Sequence, residues 1–103
     1  MSPVIYLASL TAKIYKLIPM REDMDSGKDV FLDKYIDSLL IELMGALDTY
    51  PALRDSDKYI SVVNTIQYLA HNETEGAAWR REAFKMLRTI ERLRDAFGGV
   101  SDG

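Results

Sequence analysis

The chain has 103 residues, of which 48% are hydrophobic and 28% charged, and it carries a formal net charge of −3 and no cysteine. This ordinary globular composition predicts one folded domain with a single core, and it excludes an intrinsically disordered chain. The lack of cysteine argues against a disulfide-stabilised secreted domain, and no apolar run reaches the roughly 18 residues of a membrane-spanning helix. We therefore expect a cytoplasmic protein without a membrane segment.

The first predicted helix begins at Ser2-Pro3, a hydroxyl residue followed by proline, which is typical of a helix start. Pro19 predicts its end at about Ile18, because the residue before a proline disfavours helical backbone. No basic residue precedes Lys13, so we expect no signal peptide. The apolar residues of this segment recur at three- and four-residue spacing: Val4, Leu7, Leu10, Ile14, Leu17 and Ile18.

Residues 19–30 are predicted to form an acidic loop, since they contain Gly27 and show no apolar period. Residues 22–29 faintly resemble a calcium-binding loop. Placing Gly27 at the sixth position of such a loop puts Met24 at the third, where a hard cation needs an oxygen ligand. The pattern therefore fails, and we expect solvated acidic side chains.

Three further helices follow, over about 30–50, 57–71 and 77–97. Asp29 is the predicted N-cap of the second helix, and Asp55 or Ser56 that of the third. Pro51 ends the second helix, Gly98-Gly99 stops the fourth, and residues 98–103 are predicted to be a loose tail. The predicted core positions are Leu32, Tyr35, Ile36, Leu39, Leu43, Ala46, Leu47, Tyr50, Tyr59, Val62, Val63, Ile66, Leu69, Ala70, Trp79, Ala83, Met86, Ile90, Leu93 and Phe97.

No segment alternates apolar and polar residues as a half-buried strand does. Amphipathic helices joined by short connections are typical of antiparallel neighbours. The predicted fold is all-α, a single compact bundle of about four antiparallel helices formed by residues 1–103.

Candidate catalytic groups are scarce. His71 is the only histidine, and without cysteine it cannot anchor a typical zinc site. A helical phosphotransfer domain carries its key histidine in the middle of a helix. His71 lies at a helix end, where an interaction with the helix dipole is the better explanation. Asp33 and Asp37 share a helix face and could act together as catalytic carboxylates. Any polar helix face carries such pairs, however, so their spacing alone does not indicate catalysis. We therefore predict no catalytic residue, no metal, no cofactor and no enzymatic activity.

One face of the second predicted helix is both acidic and apolar. With about 100° per residue, five residues point the same way, and Gly45 lies nearby. Two interpretations stay open here: the face is exposed and binds a protein, or the helix is buried almost all round. If it is exposed, a second copy of the chain is the commonest kind of partner. The predicted protein-binding residues are Asp33, Asp37, Ile41, Met44 and Asp48.

The last predicted helix carries a basic stripe with an aromatic residue beside it. Such a stripe is suited to phosphates or to an acidic protein surface, and it also occurs on ordinary solvated helices. It provides the alternative site, for nucleic acid or an acidic partner. Its residues are Arg81, Phe84, Lys85, Arg88 and Arg92.

Charge is segregated along the chain. Residues 22–75 contain twelve acidic and four basic residues, whereas residues 80–95 contain six basic and three acidic ones. A helix-turn-helix reader of DNA is disfavoured, because its candidate recognition helix offers only Lys58 as a cation. The sequence predicts a non-enzymatic protein-interaction module, an adaptor or inhibitor whose partner is another protein or a second copy. The alternative is a nucleic-acid-binding accessory protein.

Overall fold

The computed structural model describes residues 2–99 of the chain, and all regular structure in that range is helical. A 3₁₀ turn at Pro51–Leu53 connects the third and fourth helices. The predicted all-α bundle is confirmed. Its helices are α1 (Val4–Tyr15), α2 (Leu17–Asp25), α3 (Leu32–Thr49), α4 (Asp57–His71) and α5 (Gly76–Gly99).

The longest helix, α5, organises the bundle by packing against α1, α2 and α4. Helix α3 packs against α4 and α2. Since Lys16 alone separates α1 from α2, the molecule is a bundle of four helical segments whose first segment is broken. None of the helices within residues 2–99 is long and apolar enough to cross a membrane.

The core is one continuous cluster to which every helix contributes. The three- and four-residue spacing places one stripe of each helix inward, so most predicted core residues are buried. Six predicted core positions are only partly buried, because they lie at the margins of these stripes: Val4, Tyr35, Leu47, Tyr50, Ala70 and Phe97.

Pro19 breaks the first segment one turn earlier than predicted. A proline ring clashes with the carbonyl four residues before it, and Tyr15, the last residue of α1, is that residue. Pro19 itself lies in the first turn of α2, where no amide hydrogen is needed. The prediction that the helix ends at about Ile18 is therefore wrong.

The predicted acidic loop over 19–30 is also wrong in its first half, since α2 extends to Asp25. Gly27, with φ +86°, ends this helix. Its amide donates to the Met24 carbonyl at 3.1 Å, and the Lys28 amide donates to the Asp23 carbonyl at 2.9 Å. This is the Schellman arrangement, which needs a residue in the left-handed region.

The helix termini agree with the predictions at some positions only. Ser56 caps α4 as predicted, its hydroxyl accepting a hydrogen bond from the Tyr59 amide at 3.2 Å. Asp29 does not cap α3, whose N-cap is Phe31 without a side-chain hydrogen bond. Gly98 and Gly99 belong to α5, contrary to the predicted stop. The rest of the predicted tail, residues 100–103, lies outside the described residues.

A tyrosine pair inside the bundle fixes α3 relative to α1 and α4. The fully buried Tyr59 hydroxyl donates to the Leu43 carbonyl at 2.5 Å. The Tyr6 hydroxyl, 2.9 Å from that of Tyr59, is then the donor to it. The Tyr6 ring also stacks on Tyr50 at 5.4 Å between centroids. Helix α3 is thus held in one rotation, and this rotation decides which of its residues face outward.

Candidate protein-contact surface

Helix α3 has a sharply divided surface. Its inner stripe is buried and consists of Leu32, Ile36, Leu39, Leu43 and Ala46. The opposite stripe is exposed along its whole length. This acidic-apolar face contains all five of the residues predicted to bind protein: Asp33, Asp37, Ile41, Met44 and Asp48.

The two large apolar residues of the acidic-apolar face stand in solvent. Ile41 is 73% exposed and Met44 is 48% exposed. They are three positions apart on a helix, so their side chains are neighbours. The interpretation that α3 is buried almost all round is therefore wrong, because the face opposite its inner stripe is exposed.

The three aspartates of this face differ in their surroundings. Asp48 accepts a hydrogen bond from the Arg54 guanidinium at 2.6 Å. The same guanidinium donates to the Leu47 carbonyl at 2.9 Å, near the end of α3. Asp33 and Asp37 take part in none of the ion pairs within residues 2–99. Their charges are therefore free to face a partner.

Phe31, at the start of α3, is an exposed apolar residue that the sequence analysis did not single out. It is 68% exposed, and the Lys34 ammonium lies 5.4 Å from its ring centroid. Extending the helical periodicity of α3 back by one residue places Phe31 outside the buried stripe. That signal was present in the sequence, since the predicted helix over 30–50 already contained Phe31.

The basic stripe of α5 is also exposed, and the inner side of this helix is buried through Trp79, Ala83, Met86, Ile90 and Leu93. Arg81, Arg88 and Arg92 appear in none of the ion pairs of the described chain. Lys85 lies 3.7 Å from a Glu82 carboxylate oxygen. The structure therefore places all four predicted cations on one solvent-facing side.

Phe84 lies at the edge of the basic stripe and is 40% exposed. The Arg80 guanidinium covers part of its ring at 5.7 Å from the centroid, and this group also lies 3.6 Å from a Glu22 carboxylate oxygen. Phe84 thus offers an aromatic edge beside the cations. The acidic-apolar face and the basic stripe do not merge into one site, since they lie on the outer sides of different helices.

A cleft of roughly 740 Å³ opens where α2, α3, the end of α4 and the start of α5 meet. Arg21 occupies one wall, donating to the Thr74 carbonyl at 2.6 Å and to Asp25 at 3.0 Å. Its guanidinium lies 5.1 Å from the Trp79 ring, and the Trp79 indole donates to the Leu17 carbonyl at 3.0 Å. The polar groups of Arg21 and Trp79 are thus engaged in holding α2 to α5.

His71 is the last residue of α4, as predicted, and its Nδ1 lies 2.9 Å from the Gln67 carbonyl oxygen. The candidate calcium-loop residues Glu22, Asp23 and Asp25 are helical. No group of three or more histidine or acidic side chains in the part of the chain that the structure describes is arranged to hold a metal ion.

Comparisons with protein-family models, with curated proteins and with solved structures found no match to this chain.

Proposed function

We propose that this protein is a non-enzymatic interaction module, an adaptor or an inhibitor, that binds a protein partner through the acidic-apolar face of α3 and acts in the cytoplasm. The observation that carries the proposal is the exposure of Ile41 and Met44 side by side on a face where two aspartates take part in no ion pair within residues 2–99. The absence of cysteine throughout the sequence supports the reducing compartment.

Physical arguments support a contact surface at this position. Single exposed apolar residues are normal on a protein surface, but neighbouring ones rimmed by charge are typical of binding sites. Burying the Ile41 side chain fully against a partner would contribute roughly 1.5–3 kcal/mol. The aspartates around it would set the orientation of a basic partner and accelerate encounter.

Site-specific photo-cross-linking in cells of the source organism tests this proposal. A photoreactive phenylalanine analogue at position 41 should give a discrete covalent adduct with a protein. The same analogue at position 5 is the matched control, because Ile5 is an isoleucine on α1 that is 85% exposed. We expect an adduct at position 41 and none at position 5.

A second set of variants distinguishes a specific contact from nonspecific binding by exposed apolar residues. Ile41→Ser combined with Met44→Ser removes the apolar groups without changing charge, and it should abolish co-purification of the cross-linked protein. Ile5→Ser should leave it unchanged. Equal adduct yields at positions 41 and 5, or co-purification that survives the double substitution, would refute binding through α3.

Nucleic-acid binding through the basic stripe of α5 is the second candidate. The observation in its favour is the exposure of Arg81, Arg88 and Arg92 without ion-pair partners among residues 2–99. Cations free of internal partners can release counterions from a phosphate backbone, which makes such binding strongly salt-dependent.

Fluorescence anisotropy with labelled single- and double-stranded DNA and RNA across a salt series tests this candidate. Arg88→Ala combined with Arg92→Ala should weaken binding and reduce the salt slope by about two phosphate contacts. Lys28→Ala combined with Lys34→Ala removes the same charge elsewhere and should have little effect. No binding at low salt by the wild-type protein would exclude the candidate.

A further inference from the structure

We infer that the partner of the acidic-apolar face is a second copy of this chain, which docks the basic stripe of its α5 antiparallel onto α3. This inference rests on the proposed function of α3 and names its partner. It joins two sets of charges that take part in no ion pair within residues 2–99. Asp33 and Asp37 lie on the face with the exposed apolar groups, and Arg88 and Arg92 lie on the stripe with the exposed aromatic ring.

The spacing of the two surfaces matches in an antiparallel register. On α3, Asp33, Asp37 and Ile41 follow one another at intervals of four residues. On α5, read backwards, Arg92, Arg88 and Phe84 do the same. Every α-helix rises by the same distance per residue, so one alignment sets Asp33 opposite Arg92, Asp37 opposite Arg88 and Ile41 opposite Phe84. In this alignment Met44 comes opposite Arg81, whose aliphatic stem can cover it.

These rows are also the ones that helices use when they pack. Rows of residues four apart form ridges on a helix surface. Packing between these rows and the three-apart rows of a neighbouring helix leaves the two axes only about 20° from parallel or antiparallel, so facing residues stay aligned over several turns. Gly45 lies one turn after Ile41 and has no neighbouring atom within 4 Å of where a side chain would begin. That open space gives Phe84 of the second copy room to approach α3.

The two surfaces do not satisfy each other within one chain, because no ion pair within residues 2–99 joins an acidic residue of α3 to a basic residue of α5. Pairing α3 with the α3 of a second copy is less favourable, since it brings two acidic faces together. The contact between α3 and α5 joins different patches of the two copies. Successive copies can therefore form a closed ring or an open chain.

Sedimentation velocity on four samples tests the inference. The wild-type protein should show a mass that rises with concentration above the 11.7 kDa of one chain and falls with added salt. Asp33→Arg with Asp37→Arg places cations opposite cations, and Arg88→Asp with Arg92→Asp places acids opposite acids. Each double variant alone should associate at least about tenfold more weakly than the wild type.

The decisive sample is an equimolar mixture of the two double variants. The reversed α3 of one variant is complementary to the reversed α5 of the other, and the remaining pair of faces is unchanged. Association should therefore return in the mixture. A control with the same change in net charge as the α3 variant, Asp29→Arg with Asp55→Arg, replaces residues that belong to neither face and should sediment like the wild type. Circular dichroism establishes that each variant is folded.

A wild-type protein that stays at the mass of one chain at millimolar concentration would overturn the inference, as would a mixture that fails to associate. If an α3-dependent adduct with a different protein formed at position 41 in that case, the proposed function would stand and only the second copy would be excluded. Assembly of the wild type only after addition of nucleic acid would also overturn the inference, in favour of the second candidate function.

Discussion

Gly27 and Gly45 stand in opposite backbone situations. Gly27 closes α2 with φ +86°, a conformation that a side chain disfavours. Gly45 lies inside α3 in ordinary helical conformation, and a side chain there would meet open space. A mid-helix glycine lowers stability by roughly 0.5–1 kcal/mol relative to alanine. Folding alone therefore gives no reason for a glycine at position 45.

Gly45→Ala should stabilise the protein by about 0.5–1 kcal/mol, because alanine reduces the entropy of the unfolded chain and meets no clash. Gly27→Ala should destabilise it by about 1–2 kcal/mol, the penalty for a side chain in the left-handed region. Urea unfolding followed by circular dichroism measures both. A lower urea midpoint for Gly45→Ala than for the wild type would mean that Gly45 has a packing role within the chain.

The buried tyrosine pair couples stability to alkaline pH. Burial raises the pKa of Tyr6 to about 12, although its hydrogen bond with Tyr59 lowers the pKa in part. Burial also raises the pKa of Tyr59 above its ordinary value, and the hydrogen bond with Tyr6 adds to that increase. The unfolded chain loses these protons near pH 10.0, before the folded chain does. The stability is therefore fully present below pH 10 and declines as the pH rises towards 12.

Tyr59→Phe should lower the free energy of unfolding by about 1 kcal/mol at pH 7, because Leu43 and Tyr6 lose a hydrogen-bond partner. Between pH 10 and 12 its stability should decline less steeply than that of the wild type. Urea midpoints across this pH range report the difference. Tyr15→Phe, at an exposed position on α1, is the control, and a decline of equal slope in Tyr59→Phe and wild type would refute the coupling.

At the scale of elements, the sequence predicted the long helices well and missed α2. Periodicity identified α4 at its observed bounds, since a 15-residue amphipathic pattern with a serine cap leaves little ambiguity. Helix α2 has only nine residues, most of them polar. Isolated helices of that length are marginal in water, so tertiary contacts have to stabilise it. Arg21 supplies two of them, through the Thr74 carbonyl and the Trp79 ring, and it also pairs with Asp25 inside α2.

Arg21→Ala should destabilise the protein by about 1–3 kcal/mol, because it removes a charge-assisted hydrogen bond to the Thr74 carbonyl and the contact with Trp79. Hydrogen exchange should accelerate in residues 17–25 more than in α4. Arg21→Lys should not restore protection, since an ammonium lacks the planar fork that makes both bonds. Lys34→Ala removes an exposed cation from α3 and serves as the control. Unchanged exchange in α2 would show that Arg21 does not hold it.

At the scale of the whole molecule, one core joins all five helices. The single domain stays a prediction, and it implies that the chain unfolds in one cooperative step, as small domains with one core usually do. Charge is segregated in the folded molecule as well as along the sequence. The acidic residues lie on the exposed side of α3, and the basic residues lie on the exposed side of α5. Periodicity predicted both stripes, because a polar helix face must point away from the core.

Leu43→Ala should lower the free energy of unfolding by about 2–5 kcal/mol, because it opens a cavity at a fully buried position. This destabilisation should also be detected at Trp79 in α5. Urea unfolding monitored by circular dichroism and by fluorescence of the single tryptophan, Trp79, should give coincident midpoints in both wild type and variant. A tryptophan transition unaffected by Leu43→Ala would indicate two independently folding parts.

The sequence by itself determined the helical class, the inner stripe of each long helix and the residues of both outer stripes, because these follow from a repeat of 3.6 residues. Only the tertiary structure decided that Ile41 and Met44 are exposed, since a helix's own periodicity does not say how many neighbours surround it. The helical residues 17–25 are likewise joined to a distant part of the chain, because Arg21 donates to the Thr74 carbonyl 53 residues further along. Local patterns encode secondary structure, whereas exposure and long-range hydrogen bonds arise from how helices are placed against one another.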